Sequence, residues 1–156
     1  MEITSHSESD TRNIAQSMAA RLTGGDVVLL FGELGAGKTT FTKALARAIG
    51  VTEDVTSPTF ALMNMYHVSG SMNGISHFVH IDTYRLKDEN ELLDIGAQDY
   101  IGDPDAITVI EWPEKISKLL QNKKTINVSI VHGGGDERII TAGALNDDPF
   151  AKNGIS

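Results

Sequence analysis

The chain contains no cysteine. Disulfide staples, thiol nucleophiles and thiolate metal sites are therefore excluded, and any metal must be held by oxygens or imidazoles. No apolar stretch approaches the roughly 18 residues that a membrane-spanning helix requires. Residues 1–5 also lack the basic and apolar blocks of a secretory leader, so a cytoplasmic protein is expected. Basic residues are scarce: 13 Lys and Arg face 21 Asp and Glu, a formal net charge of −8. Nucleic-acid binding rests on neutralising phosphates with Lys and Arg. No basic cluster relieves the deficit, so the chain is not expected to hold RNA by itself; the acidity either favours a protein partner or serves solubility alone. A guanine-reading Asn/Thr-Lys-x-Asp motif is missing, and so is an arginine-rich lid of the kind that covers a transferred phosphate in small kinases.

What is present is dominated by Gly32-Glu33-Leu34-Gly35-Ala36-Gly37-Lys38-Thr39, a full match to the P-loop pattern G-x-x-x-x-G-K-[ST]. Small residues let the backbone N–H groups of such a loop turn inward onto a polyphosphate. Lys38 then neutralises the outer phosphates, and the Thr39 hydroxyl is a ligand for Mg²⁺. The flanks agree: residues 26–31 form a continuous apolar run suited to a buried parallel strand, and Phe41, Ala44, Leu45, Ala48 and Ile49 recur at helical spacing up to Gly50.

With 156 residues there is room for one core. The expected fold is a single α/β domain over residues 1–144, a P-loop NTPase-like sheet that is mainly parallel with antiparallel hairpins and helices on both faces, followed by a flexible tail over 145–156. Ser7 or Ser9 caps a first helix whose Ile14, Met18 and Leu22 share a face. Strands over 60–67 and 77–82 flank a turn-rich loop and pair antiparallel. A helix over 87–95, extended by a shorter one to Tyr100, is broken by Gly102-Asp103-Pro104. A strand over 106–110 closes on Glu111, and a helix runs from Pro113 to Leu120. Strands over 125–131 and 138–142 form a terminal hairpin.

Phosphoryl transfer also needs a carboxylate for the metal and a group to orient water. Asp82 and Glu111 each follow an apolar strand, where α/β sheets place ligands. Trp112, the single tryptophan, can stack on a base, anchor a partner or sit in the core. His80 either assists the site or is a structural donor, and Thr59 either senses the γ-phosphate or caps a strand. Arg85 approaches the phosphates or makes a surface ion pair. A small-molecule kinase is an alternative that demands a phosphoacceptor pocket and lid. A nucleotide-gated binding module with negligible hydrolysis is another, and the set of Lys38, Thr39, Asp82 and Glu111 disfavours it.

Taken together, the loop through Thr40, Ser57-Pro58-Thr59-Phe60, His80-Ile81-Asp82-Thr83-Tyr84-Arg85-Leu86 and Ile110-Glu111-Trp112-Pro113-Glu114 resemble the TsaE (YjeE) family of small P-loop ATPases in bacterial tRNA threonylcarbamoyladenosine biosynthesis. The resemblance implies that the chain binds ATP and Mg²⁺, that Thr39 and Glu111 hold the metal, and that Asp82 supports hydrolysis. It also implies that Thr59 belongs to a switch-like loop and that Thr11 lies near the base. The partners it implies are the TsaD and TsaB proteins, whose complex nucleotide turnover resets.

Overall fold

The computed structural model describes residues 2–58, 61–70 and 74–143. A seven-stranded sheet is built from β1 (Glu2–Ser5), β2 (Val27–Phe31), β3 (Met63–His67), β4 (His77–Asp82), β5 (Ala106–Glu111), β6 (Thr125–Gly134) and β7 (Glu137–Ala142). Their order across the sheet is β1-β7-β6-β2-β5-β4-β3. The four central strands β6, β2, β5 and β4 run parallel, while β7, β1 and β3 join antiparallel at the flanks.

Along β2 the side chains alternate between two cores, which explains why both parities are apolar. Val28 and Leu30 face the layer formed by α1 (Glu8–Ala19) and α2 (Lys38–Ile49). Val27 and Leu29 face α3 (Asn90–Asp94) and the 3₁₀ turns, meeting Leu92, Ala97, Ile101 and Ile116. Helical segments thus cover both faces, as expected. Ser7 caps α1, accepting the Asp10 N–H at 3.1 Å, and Thr11, Ala15 and Met18 make its buried stripe.

Five features depart from expectation. The helix expected to carry Leu22 ends at Ala19. β1 has no counterpart in the sequence reading: Glu2, Ile3 and Thr4 are exposed, and the strand exists through its pairing with β7, Ile3 beside Ile140. The strand expected over 60–67 starts at Met63, after Leu62 adopts a left-handed φ of 64° that interrupts extended backbone. The helix expected over 87–95 is confined to Asn90–Asp94, because carboxylates capture the preceding donors: Lys87 N–H goes to Glu91 and Asn90 N–H to Asp88. Pro113–Leu120 is 3₁₀ rather than α-helix, with a break at Ile116, where φ is −129°. The tail over 145–156 lies outside the described residues.

Candidate functional site

Three strand ends meet on one side of the sheet. Leu30 of β2 lies beside Glu111 of β5, which lies beside Asp82 of β4. The loop after β2 and both carboxylates therefore share the carboxyl edge where open α/β sheets hold ligands.

The loop itself runs from Gly32 into α2. A Cβ on Gly32 would lie 2.6 Å from the Ile130 carbonyl oxygen, so only glycine lets the loop pass this close to β6. Gly37 opens α2 with a left-handed φ of 107° and no side-chain cap. The first N–H groups of α2 thus lack intrahelical partners and stand at the positive end of the helix dipole, which is the chemistry of an anion cradle. Glu33, Leu34, Gly35 and Thr39 are exposed around it, Thr40 is half-buried and Ala36 is buried. Arg138 of β7 braces this loop, donating Nε–H to the Ala36 carbonyl at 3.0 Å and Nη1–H to the Gly135 and Glu137 carbonyls at 3.2 and 2.9 Å. No local motif marks Arg138, and the sequence reading missed it.

Lys38 is 5% exposed. Its ammonium donates to the Gly32 carbonyl at 2.5 Å and lies 3.5 Å from the centre of the Trp112 ring. Burial pushes the Lys38 pKa below the ordinary lysine value, against the opposing pull of the Glu111, Asp82 and Glu114 carboxylates. Trp112 itself occupies the left-handed region, φ 60° and ψ 50°, costly for a bulky residue. Thr83 holds it there: its hydroxyl, fully buried, donates to the carbonyls of Trp112 and Glu111, the latter at 3.0 Å. The Tyr84 ring tilts against the indole, with centroids 5.0 Å apart. Thr83 was within a recognised motif, yet its role emerges only from the pairing of β4 with β5.

Asp82 is half-buried, and its carboxylate accepts the Tyr84 N–H at 2.9 Å and the Ser57 hydroxyl at 3.3 Å. Glu111 is 3% exposed and meets His80 Nε2 at 2.9 Å. Thr11, also buried, shares a 2.7 Å hydrogen bond with Ser5. It lines a small cavity of about 50 Å³ with Ala36, Gly37, Thr40 and Arg138. Arg85 is exposed. Thr59 lies outside the described residues.

Among the described residues no three His, Asp or Glu side chains cluster as a metal cage. Mg²⁺ takes one or two protein oxygens together with phosphate oxygens and water. Thr39 and Glu111 supply oxygens of the right kind.

The family model for threonylcarbamoyl adenosine biosynthesis protein TsaE matches residues 5–140. The chain is 38% identical to the tRNA threonylcarbamoyladenosine biosynthesis protein TsaE of Bacillus subtilis over 88% of its length and 82% of that protein's. It is 38% identical to the TsaE of Treponema pallidum, over 88% of this chain and 97% of the relative. For the Aquifex aeolicus TsaE the identity is 36%, over 81% and 94%. Among solved structures, Bacillus subtilis YdiB superposes with a TM-score of 0.73 at 31% identity, covering 94% of this chain and 86% of that one. With the strand–loop–helix and both strand-end carboxylates in place, this chain belongs to the TsaE family of threonylcarbamoyl adenosine biosynthesis.

Proposed function

We propose that this chain is a magnesium-dependent ATPase that works in a complex with the TsaD and TsaB proteins and resets that complex during threonylcarbamoyladenosine modification of tRNA. The observation that carries the reading is the convergence of an uncapped helix start, Lys38, Thr39, Asp82 and Glu111 on three adjacent strand ends. A cytoplasmic setting fits the absence, among the described residues, of a helix long and apolar enough to cross a membrane.

In this reading the N–H groups of the loop and of the first turn of α2 receive the phosphates. Lys38 exchanges the Gly32 carbonyl and the indole face for phosphate oxygens, recovering the charge pairing that its burial otherwise opposes. Thr39 and Glu111 hold Mg²⁺, which when bound neutralises charge on the outer phosphates. Asp82, whose oxygens are aimed by Ser57 and Tyr84, orients the attacking water. Thr59 belongs to the segment that responds to the γ-phosphate.

The guanidinium of Arg138 is spent on three backbone carbonyls, so it is not a finger for the transferred phosphate. Arginine fingers contribute on the order of a thousandfold or more, so a finger supplied by a partner would make turnover depend on the complex. Phosphate release from Mg-ATP, measured for the chain alone and with TsaD and TsaB, tests this. Slow release alone and a several-fold rise in the complex are expected. Rapid release indifferent to both partners would overturn the reading in favour of an autonomous hydrolase or kinase.

A further inference from the structure

We propose that His80 is a positioning residue for Glu111, its Nε2–H holding one carboxylate oxygen so that the other is presented to the nucleotide site. The inference rests on the reading above in which Glu111 holds a divalent ion. Both side chains are out of solvent, His80 fully and Glu111 at 3% exposure, and Nε2 meets Oε2 at 2.9 Å. The contact follows from strand register. His80 lies beside Val109 in the parallel β4–β5 pair, and Glu111, two residues further along β5, rises on the same face. Thr83, the residue that follows β4, grips the Glu111 main chain, both its N–H and its hydroxyl reaching the Glu111 carbonyl, at 3.2 and 3.0 Å. Glu111 is therefore tied at its backbone and at one oxygen of its head group.

The other ring nitrogen identifies the direction of the bond. His80 Nδ1 is buried and has no hydrogen-bond partner among the described residues. A proton on Nδ1 would leave an unpaired N–H donor in the interior, which folded proteins avoid more strictly than a bare lone pair. In the neutral ring with its proton on Nδ1, the Nε2 lone pair would also face the carboxylate. The neutral ring with its proton on Nε2 avoids both, so Nε2 donates and the Glu111 oxygen accepts. A carboxylate held in this way loses rotational freedom, and such outer partners of metal ligands tune affinity through orientation.

Two measurements test the proposal. In the free chain, NMR of isotope-labelled histidine, with the His80 signals assigned by their loss in His80→Gln, should show a protonated Nε2 and a bare Nδ1. The opposite tautomer overturns the proposal. In nucleotide titrations across magnesium concentrations, His80→Phe, which keeps the ring volume and lacks a donor, should require about 10–100-fold more Mg²⁺ for the same affinity. Its magnesium-free affinity should match that of the native chain. His80→Gln, whose amide nitrogen reaches the Nε2 position, should restore most of the loss. His80→Asn, whose amide nitrogen falls at the Nδ1 position, should not. Equal magnesium dependence in folded Gln and Asn variants overturns the proposal even where the Phe variant fails to fold. A native chain with no magnesium-linked nucleotide binding would sink the ATPase reading instead, and the tautomer measurement would still judge His80.

Discussion

The Lys38 ammonium sits 3.5 Å from the centre of the Trp112 ring, and Trp112 reaches it from a left-handed backbone conformation. A P-loop lysine is thereby held between an aromatic face and the Gly32 carbonyl, desolvated and close to the site it is proposed to serve.

Lys38→Ala should weaken Mg-ATP binding by about 2–5 kcal/mol, the range for removing a buried, hydrogen-bonded charge from an interface. Calorimetric titration measures this directly. Because Trp112 is the single tryptophan, withdrawal of the ammonium from its ring should also change indole emission as the native chain binds nucleotide. Unaltered affinity in the variant would remove Lys38 from the site.

Thr83→Val keeps the side-chain shape and deletes the hydroxyl donor to the part-buried Trp112 carbonyl, while the Glu111 carbonyl keeps the Thr83 N–H at 3.2 Å. A loss of about 0.5–1.5 kcal/mol in folding stability is expected for removing a hydrogen bond of this kind. Urea unfolding gives the number, and the tryptophan emission of the folded variant should shift as the Trp112 backbone relaxes. A midpoint identical to that of the native chain would show that the left-handed turn is held by something else.

Glu111→Gln and Asp82→Asn should both suppress phosphate release and differ in binding. Glu111 is buried against His80 and is proposed to touch the metal, so its replacement should reduce Mg-ATP affinity, as should Thr39→Val. Asp82 is half-buried and held by Ser57 and Tyr84, so its replacement should slow turnover more than binding. Native phosphate release by Asp82→Asn with partners present would take Asp82 out of the mechanism.

Gly32→Ala should destabilise the fold more than Gly70→Ala. Both positions have positive φ, a strain of about 1–2 kcal/mol for an L residue. Of the two, only at Gly32 does the new methyl meet a backbone oxygen, at 2.6 Å, while at Gly70 nothing among the described residues lies within 4 Å. Overpacking of that kind adds about 1–3 kcal/mol. Equal melting temperatures would mean that the loop can step away from β6 freely.

The parts of the molecule legible in the sequence are those whose signal is local. The P-loop is a contiguous motif, and Asp82 and Glu111 close apolar strands, so their shared edge follows from topology. The His80–Glu111 contact joins residues 31 apart and depends on the exact parallel register, which periodicity does not encode. β1 is four residues long with three exposed, and its only cause is a partner strand at the other end of the chain. Ile116 and Leu120 are spaced alike for an α-helix or for the broken 3₁₀ segment they occupy, so pattern alone could not separate the two. Arg138 looks like any strand arginine until β7 is seen to bring it to Ala36.

That strand arginine also gives the molecule a mechanical order. Glu2 pairs with Thr141, and the ladder continues inward through Ile3–Ile140 and Thr4–Ile139 to Ser5–Arg138. Tension that draws the segment before Glu2 away from the segment after Ala142 loads these rungs one after another, like a zipper opened from its free end. The last rung to part carries the guanidinium that braces the phosphate loop. A force that peels β1 away would therefore meet little resistance at first, and would leave Arg138 paired with His132 of β6, so the brace under Ala36 gives way only when β7 itself is stripped from the sheet.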